Sequence, residues 1–253
     1  MAEPIHPIPP GNQPDNLMIV KDAVALYYAA ADEFSRCAQA AIAQRGRFAV
    51  VLSGGNTPRG VYSLLAQEHR GLPWEKIFVF FGDERHVPPD DPESNYRMAA
   101  ESLLTKVPIP AANVYRVPAE FPADSAADQY EREIRTFFHL QANAWPRFDL
   151  IFLGIGEDGH TASLFPGSAA LKETSRLVAA NWVEKFKAYR ITFTYSVLNH
   201  AAEVLFLVSG AGKAQIIREI LIPSGEQRYP AQAVQPEDGN VIWLVDQDGA
   251  RLL

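Results

Sequence analysis

Residues 148–167 read FDLIFLGIGEDGHTASLFPG. The first six are mostly apolar and have the length of a strand buried on both faces. Gly154, Gly156 and Gly159 then let the backbone turn sharply. Such a turn delivers Asp158 and His160 to the carboxyl end of a strand, where open α/β sheets bind ligands. Histidine is the side chain that ordinarily titrates nearest neutral pH. His160 therefore reads as a general base with Asp158 as its orienter; a structural surface histidine is the plainer alternative.

Outward from this stretch, helix-like and strand-like segments alternate. That pattern predicts an α/β fold with a mostly parallel sheet flanked by helices. Residues 22–43 are Ala-rich, with apolar positions at helical spacing. Residues 48–52 form a short apolar strand. Thr57 and Pro58 read as N-cap and first residue of a helix running to about 69. Strands are expected over 77–81, 150–155, 203–208 and 241–245, and helices over 94–104, 125–140 and 214–221. Residues 190–195 alternate apolar and polar, as a half-buried strand does. The patches 108–122 and 223–236 are Pro-rich connections. The expected organisation is a flexible Pro-rich tail over 1–15 and a single domain over 16–253.

A 253-residue chain of this class buries roughly 70–75% of its unfolded surface, so its core needs neither disulfide nor metal. The one cysteine, Cys37, cannot form an intrachain disulfide, and its alanine neighbours make it a packing residue of a helix. This usage suits a reducing compartment. No apolar run approaches the ~20 residues of a membrane span, and the first residues lack the order of a secretory signal. The expectation is a cytoplasmic protein with no membrane partner, monomeric or a small homo-oligomer. A net charge of −7 argues against a broad nucleic-acid surface. It leaves room for a small anion held by a few local basic residues.

Two further loops follow predicted strands. In Ser53-Gly54-Gly55-Asn56-Thr57-Pro58, two glycines allow close backbone approach, and the helix start behind them favours an anion such as phosphate. Neither a P-loop nor a dinucleotide fingerprint is present; an ordinary strand–helix turn is the alternative. In Gly82-Asp83-Glu84-Arg85-His86-Val87-Pro88, Arg85 has the fork that grips phosphate. Asp83 is a candidate for proton transfer or for orienting a basic partner. His86 has at most a minor role, and Asn95 and Arg97 give weaker signals. Lys213, at a helix start, either supplies a point charge or is an exposed helix lysine. Arg190, opening a strand, either reaches the cleft or faces solvent. His6, His69, His139 and His200 share no metal-ligand spacing, and no obligatory metal or other cofactor is expected. Gly-x-Ser-x-Gly is missing, so Ser163 as nucleophile would need a base elsewhere.

At these three segments the chain resembles the 6-phosphogluconolactonase family. Ser-Gly-Gly-x-Thr-Pro matches 53–58, Gly-Asp-Glu-Arg-x-Val-Pro matches 82–88, and the long Asp-Gly-His motif matches 154–167, in the family's order. The late Gly-Ala-Gly-Lys-Ala is similar too. The resemblance covers about residues 20–245 and excludes the tail. It implies a Rossmann-like fold of the glucosamine-6-phosphate deaminase/ribose-5-phosphate isomerase-like kind. It also implies hydrolysis of a small sugar-phosphate lactone, 6-phospho-D-glucono-1,5-lactone, in the oxidative pentose phosphate pathway. By position it makes His160 the base, puts Asp83 and Arg85 in the site, and has Gly54, Gly55, Asn56 and Thr57 bind phosphate. Two other readings stand beside it. A deaminase or isomerase would continue the histidine loop with Asn-Glu-Pro, where this chain has Ser163-Leu164-Phe165-Pro166. A non-catalytic sugar-phosphate sensor would carry a binding extension that a 15-residue tail is too short to supply.

Overall fold

A computed structural model describes residues 16–69, 71–222 and 229–253. The 1–15 tail and residues 223–228 of the 223–236 connection lie outside the described residues. The main sheet has six strands: β1 (Leu17–Val20), β2 (Phe48–Leu52), β3 (Ile77–Phe81), β5 (Leu150–Leu153), β8 (Glu203–Val208) and β9 (Asn240–Asp246). Their order is β1-β9-β8-β5-β2-β3, and every pairing is parallel. The central strands β2, β5 and β8 are buried throughout, as a sheet covered on both faces requires. The mostly parallel sheet flanked by helices is the architecture expected from the alternation of segments.

Helix α1 (Ala23–Arg45) begins where Asp22 accepts a hydrogen bond from Ala25 N at 2.9 Å and ends at Gly46, φ 74°. Its buried face carries Ala30, Ala31, Ala38 and Ala41 around Phe34. Phe34 packs edge-on to Phe48 and stacks with Phe152. Helices α2 (Asn56–Glu68), α3 (Asn95–Ala99), α4 (Ala123–Phe138), α5 (Tyr195–Leu198), α6 (Ala214–Leu221) and α7 (Gln247–Ala250) complete the set. The helix expected over 94–104 is divided: α3 passes into a π-helical turn over Ala100–Leu104. There Thr105 N reaches back five residues to Ala100 O.

A second sheet was not foreseen. Strands β4 (Asp83–Arg85), β6 (Val178–Val183) and β7 (Ala188–Phe193) form an antiparallel sheet ordered β4-β7-β6. The charged loop read at 82–88 thus begins as a strand. Gly82 joins the sheets: its N–H donates to Leu52 O, and its carbonyl accepts from Phe193 N. The strand expected over 190–195 begins at Ala188 and ends at Phe193. Thr57 is not the N-cap of α2. Gly55 is, at φ 111°, ψ 169°, a conformation open to glycine and costly for a side chain. The helix therefore starts two residues earlier, and Pro58 sits in its first turn, where its missing N–H removes nothing.

Candidate active site

In chain order the strands step outward from β2 to β3, then return to the other side of β2 with β5 and continue through β8. The β2/β5 boundary is a topological switch point, where adjacent loops diverge and leave a crevice at the carboxyl edge. A cavity of about 510 Å³ lies there, lined by loops after β2, β5 and β8 and by β4 and β7. The loops emerging at one sheet edge are thus gathered around one space.

Two buried tyrosines set where the loops leave the sheet. The Tyr62 hydroxyl donates to Ser53 O and accepts from Ser53 N, each at 2.9 Å. The Tyr130 hydroxyl binds both backbone groups of Phe81, at 2.8 and 3.0 Å. Beyond β8, the Asp246 carboxylate accepts from Ser209 Oγ at 2.5 Å and from Gly210 N at 3.0 Å. These clamps cross 9 to 49 residues of sequence and left no local signal.

His160 lines the cavity. Its Nδ1 meets Asp158 Oδ1 at 2.5 Å, which leaves Nε2 as the ring nitrogen open for chemistry. The same oxygen accepts from His160 N at 3.4 Å, and Asp158 Oδ2 accepts from Lys185 Nζ at 3.1 Å. Partial burial pushes the Asp158 carboxyl up, but the bonds from His160 and Lys185 outweigh it and hold it at about 2. Asp158 stands behind His160 and does not itself line the cavity. Phe165 stacks on the imidazole at 3.9 Å between ring centres. Ala162, two residues past His160, is held at φ 47°, a left-handed conformation unusual for a residue with a Cβ.

Asp83 does not reach His160. It is buried, accepting from Ser163 Oγ at 2.6 Å and Asn95 Nδ2 at 3.3 Å. Of the two aspartates considered as orienters, Asp158 makes the contact. Ser163 Oγ donates to the Asp83 carboxylate, and among the described residues no histidine or lysine contacts it. Glu84 turns inward from β4 and accepts from the backbone of Asn95 and Tyr96 at the start of α3 and from Ser94 Oγ. Burial pushes its carboxyl up and those bonds pull it down, with burial dominant.

Gly54, Gly55, Asn56 and Thr57 line the same cavity. The first turn of α2 has no acidic residue and no side-chain cap, so its N–H groups are available to an anion. Asn95, weakly signalled in sequence, also borders the cavity. Arg85 and Arg190 lie directly opposite each other on β4 and β7, and both line the cavity with Lys213. The structure thus puts Arg190 in the cleft rather than in solvent. Arg85 donates to the Glu93 carbonyl, and the Arg190 guanidinium lies 5.2 Å from the Phe186 ring centre. None of the three cations forms an ion pair among the described residues. Burial, and then the like charge of Arg85, make the Arg190 guanidinium easier to deprotonate than usual. Cations gathered without ion-pair partners mark a place where an anion is favoured. His86 instead meets the Phe121 carbonyl and does not border the cavity. Lys185 and Phe186, on the β6–β7 turn, were missed in sequence because strand pairing alone returns them to His160.

Glu33, Cys37 and Glu203 are the group among the described residues with metal-ligand proximity. They lie at the amino edge of the sheet, away from this cavity, bridged by Arg36.

A family model described as glucosamine-6-phosphate isomerases/6-phosphogluconolactonase matches residues 21–243. A 6-phosphogluconolactonase of Synechocystis sp. is 47% identical over 215 residues, covering 84% of this chain and 88% of that one. The solved 6-phosphogluconolactonase of Trypanosoma brucei superposes with a TM-score of 0.85 at 30% identity, covering 95% of this chain and 99% of that one. A monomeric glucosamine-6-phosphate deaminase superposes with a TM-score of 0.77 over 94% of this chain at 20% identity. That last likeness speaks to the fold alone.

Proposed function

The chain belongs to the glucosamine-6-phosphate isomerase/6-phosphogluconolactonase family and is an enzyme of its lactonase branch, and from that premise we propose a metal-free hydrolysis in which His160 activates the attacking water. The substrate is 6-phospho-D-glucono-1,5-lactone and the product 6-phospho-D-gluconate, as in the second step of the oxidative pentose phosphate pathway. The observation that carries this reading is the Asp158–His160 pair at 2.5 Å beside three cations without ion-pair partners.

In the proposed sequence, His160 Nε2 takes a proton from water as the oxygen attacks C1. Asp158 holds the imidazole with Nδ1 protonated and stabilises the imidazolium that forms. The C1 oxyanion is met by donors at the cavity edge. The imidazolium then returns its proton to the ring oxygen as the ester bond breaks, leaving a free hydroxyl and a carboxylic acid, which gives up its own proton to water to become the carboxylate. Arg85, Arg190, Lys213 and the start of α2 hold the phosphate. Asp83 shapes the site through Ser163 and Asn95. Both aspartates are already engaged by donors, which supports chemistry without a metal; stoichiometric zinc tied to activity would overturn that step. No described helix is long and apolar enough to cross a membrane. We take residues 16–253 to act as one domain in the cytoplasm on this small soluble substrate. It would act as a monomer or small homo-oligomer, without nucleic acid.

The test follows product from freshly made lactone through a coupled dehydrogenase, beside an enzyme-free control for spontaneous opening. Acceleration by the wild type and not by His160→Ala is expected. Wild type no faster than the control would overturn the reading.

A further inference from the structure

Lys185 has no local motif, yet it completes a chain of contacts ending on the imidazole. It lies on the turn Glu184–Phe186 between β6 and β7, and its Nζ reaches Asp158 Oδ2 at 3.1 Å, while Asp158 Oδ1 holds His160 Nδ1. The next residue, Phe186, packs edge-on to Phe165, which stacks on the other side of His160. One short turn thus supports the imidazole from two directions, through a carboxylate and through a ring.

We propose that Lys185 is a positioning residue for the general base, fixing the Asp158 carboxylate in the rotamer that grips His160 and setting how tightly the imidazole holds its proton. The catalytic part of this inference rests on the lactonase reading; the positioning part does not. A carboxylate gripped at one oxygen is free to swing about its side-chain torsions. Lys185 takes the second oxygen and removes that freedom. Its positive charge also offsets part of the Asp158 charge felt by His160. Other charged groups around the cavity are Asp83 and Arg85 on β4, Arg190 on β7 and Lys213 before α6. Asp83 accepts from Ser163 and Asn95, Arg85 donates to the Glu93 carbonyl, and the Arg190 guanidinium lies beside the Phe186 ring. Glu157, on the histidine loop, borders Gly212. Lys185 is therefore the cation placed to act on the Asp158–His160 pair.

Removing its charge favours the imidazolium, so the base is lost at a higher pH as pH falls. In Lys185→Met the acid limb of kcat is expected to move up by about 0.2–0.7 pH unit, the size an exposed ion pair supports. At neutral pH kcat falls about 2–5-fold, with KM nearly unchanged because the phosphate cations are untouched. Lys185→Arg restores most of both. Lys187→Met, on the same turn but paired with Glu184, leaves the profile in place. An NMR titration of the His160 imidazole reads the same shift without turnover. If the wild type fails to hydrolyse lactone, a shifted titration in Lys185→Met still supports positioning. An unmoved titration overturns it, as does a loss of kcat with no displacement of the acid limb.

Discussion

At the scale of single residues, the site assigns each group a narrow task that substitution can separate. General-base catalysis contributes typically 10²–10⁴-fold, so His160→Ala should lower kcat by about that factor with little change in KM. An unchanged kcat in the steady-state assay would remove His160 from the role. Arg85 faces the cavity without a carboxylate partner, and a charge-assisted hydrogen bond contributes about 1.5–3 kcal/mol. Arg85→Ala should therefore cost roughly 10–200-fold in kcat/KM on phosphorylated lactone while sparing the unphosphorylated one. Equal losses on both substrates would show that Arg85 does not read phosphate. His160 and Arg85 were legible because each lies a few residues past an apolar strand. Asp158 was the nearer of two candidate orienters, but that it and not Asp83 makes the contact was not legible. Residues i and i+2 meet only when the turn between them folds back, as this one does through Gly156 N bonding to His160 O.

At the scale of elements, the loops work because the strands beneath them end in fixed places. Tyr62 satisfies both backbone groups of Ser53, the residue from which the glycine loop departs. Tyr62→Phe leaves both unpaired and buried, and should cost about 1–3 kcal/mol, read in denaturant unfolding. A cost within error would show that water replaces the hydroxyl. Gly156 has a different reason to be glycine: a Cβ there would overlap the His160 ring and the Asp158 carboxylate. Gly156→Ala should displace the base, so kcat falls while phosphate binding, measured by calorimetry with the product, is retained. Loss of both together would show that the whole loop has collapsed. The main strands were readable from their apolar runs. The sheet β4-β7-β6 was not, because β4 is three charged residues whose extended form depends on pairing with β7.

At the scale of the whole molecule, the two edges of the sheet respond differently to pH. At the amino edge Glu203 is pushed up to about 7, first by burial and then by Glu33, against the pull of Arg36. A carboxyl raised in the folded state stabilises most below its unfolded value, and that contribution is lost as pH rises through the folded one. Stability should thus decline from about pH 4.5 toward 7 through this group, and Glu203→Gln should flatten the decline in Tm. An unaltered slope in the variant would exclude Glu203 as its source. Asp158, at about 2, behaves oppositely: its contribution is complete at neutral pH and is lost only in strong acid.

From composition and periodicity alone came the α/β class, the central strands and three loops rich in chemical groups. The reason is local: burial on two faces demands apolar runs, and sharp turns demand glycine, and both are visible within a few neighbouring residues. Tertiary structure alone decided which loops share a cavity, that Arg190 faces Arg85, that Asp83 serves Ser163 and Asn95, and that Lys185 reaches Asp158. Those contacts depend on strand order and on pairing between residues 12 to 105 positions apart, and no local pattern encodes a distance closed by the rest of the fold.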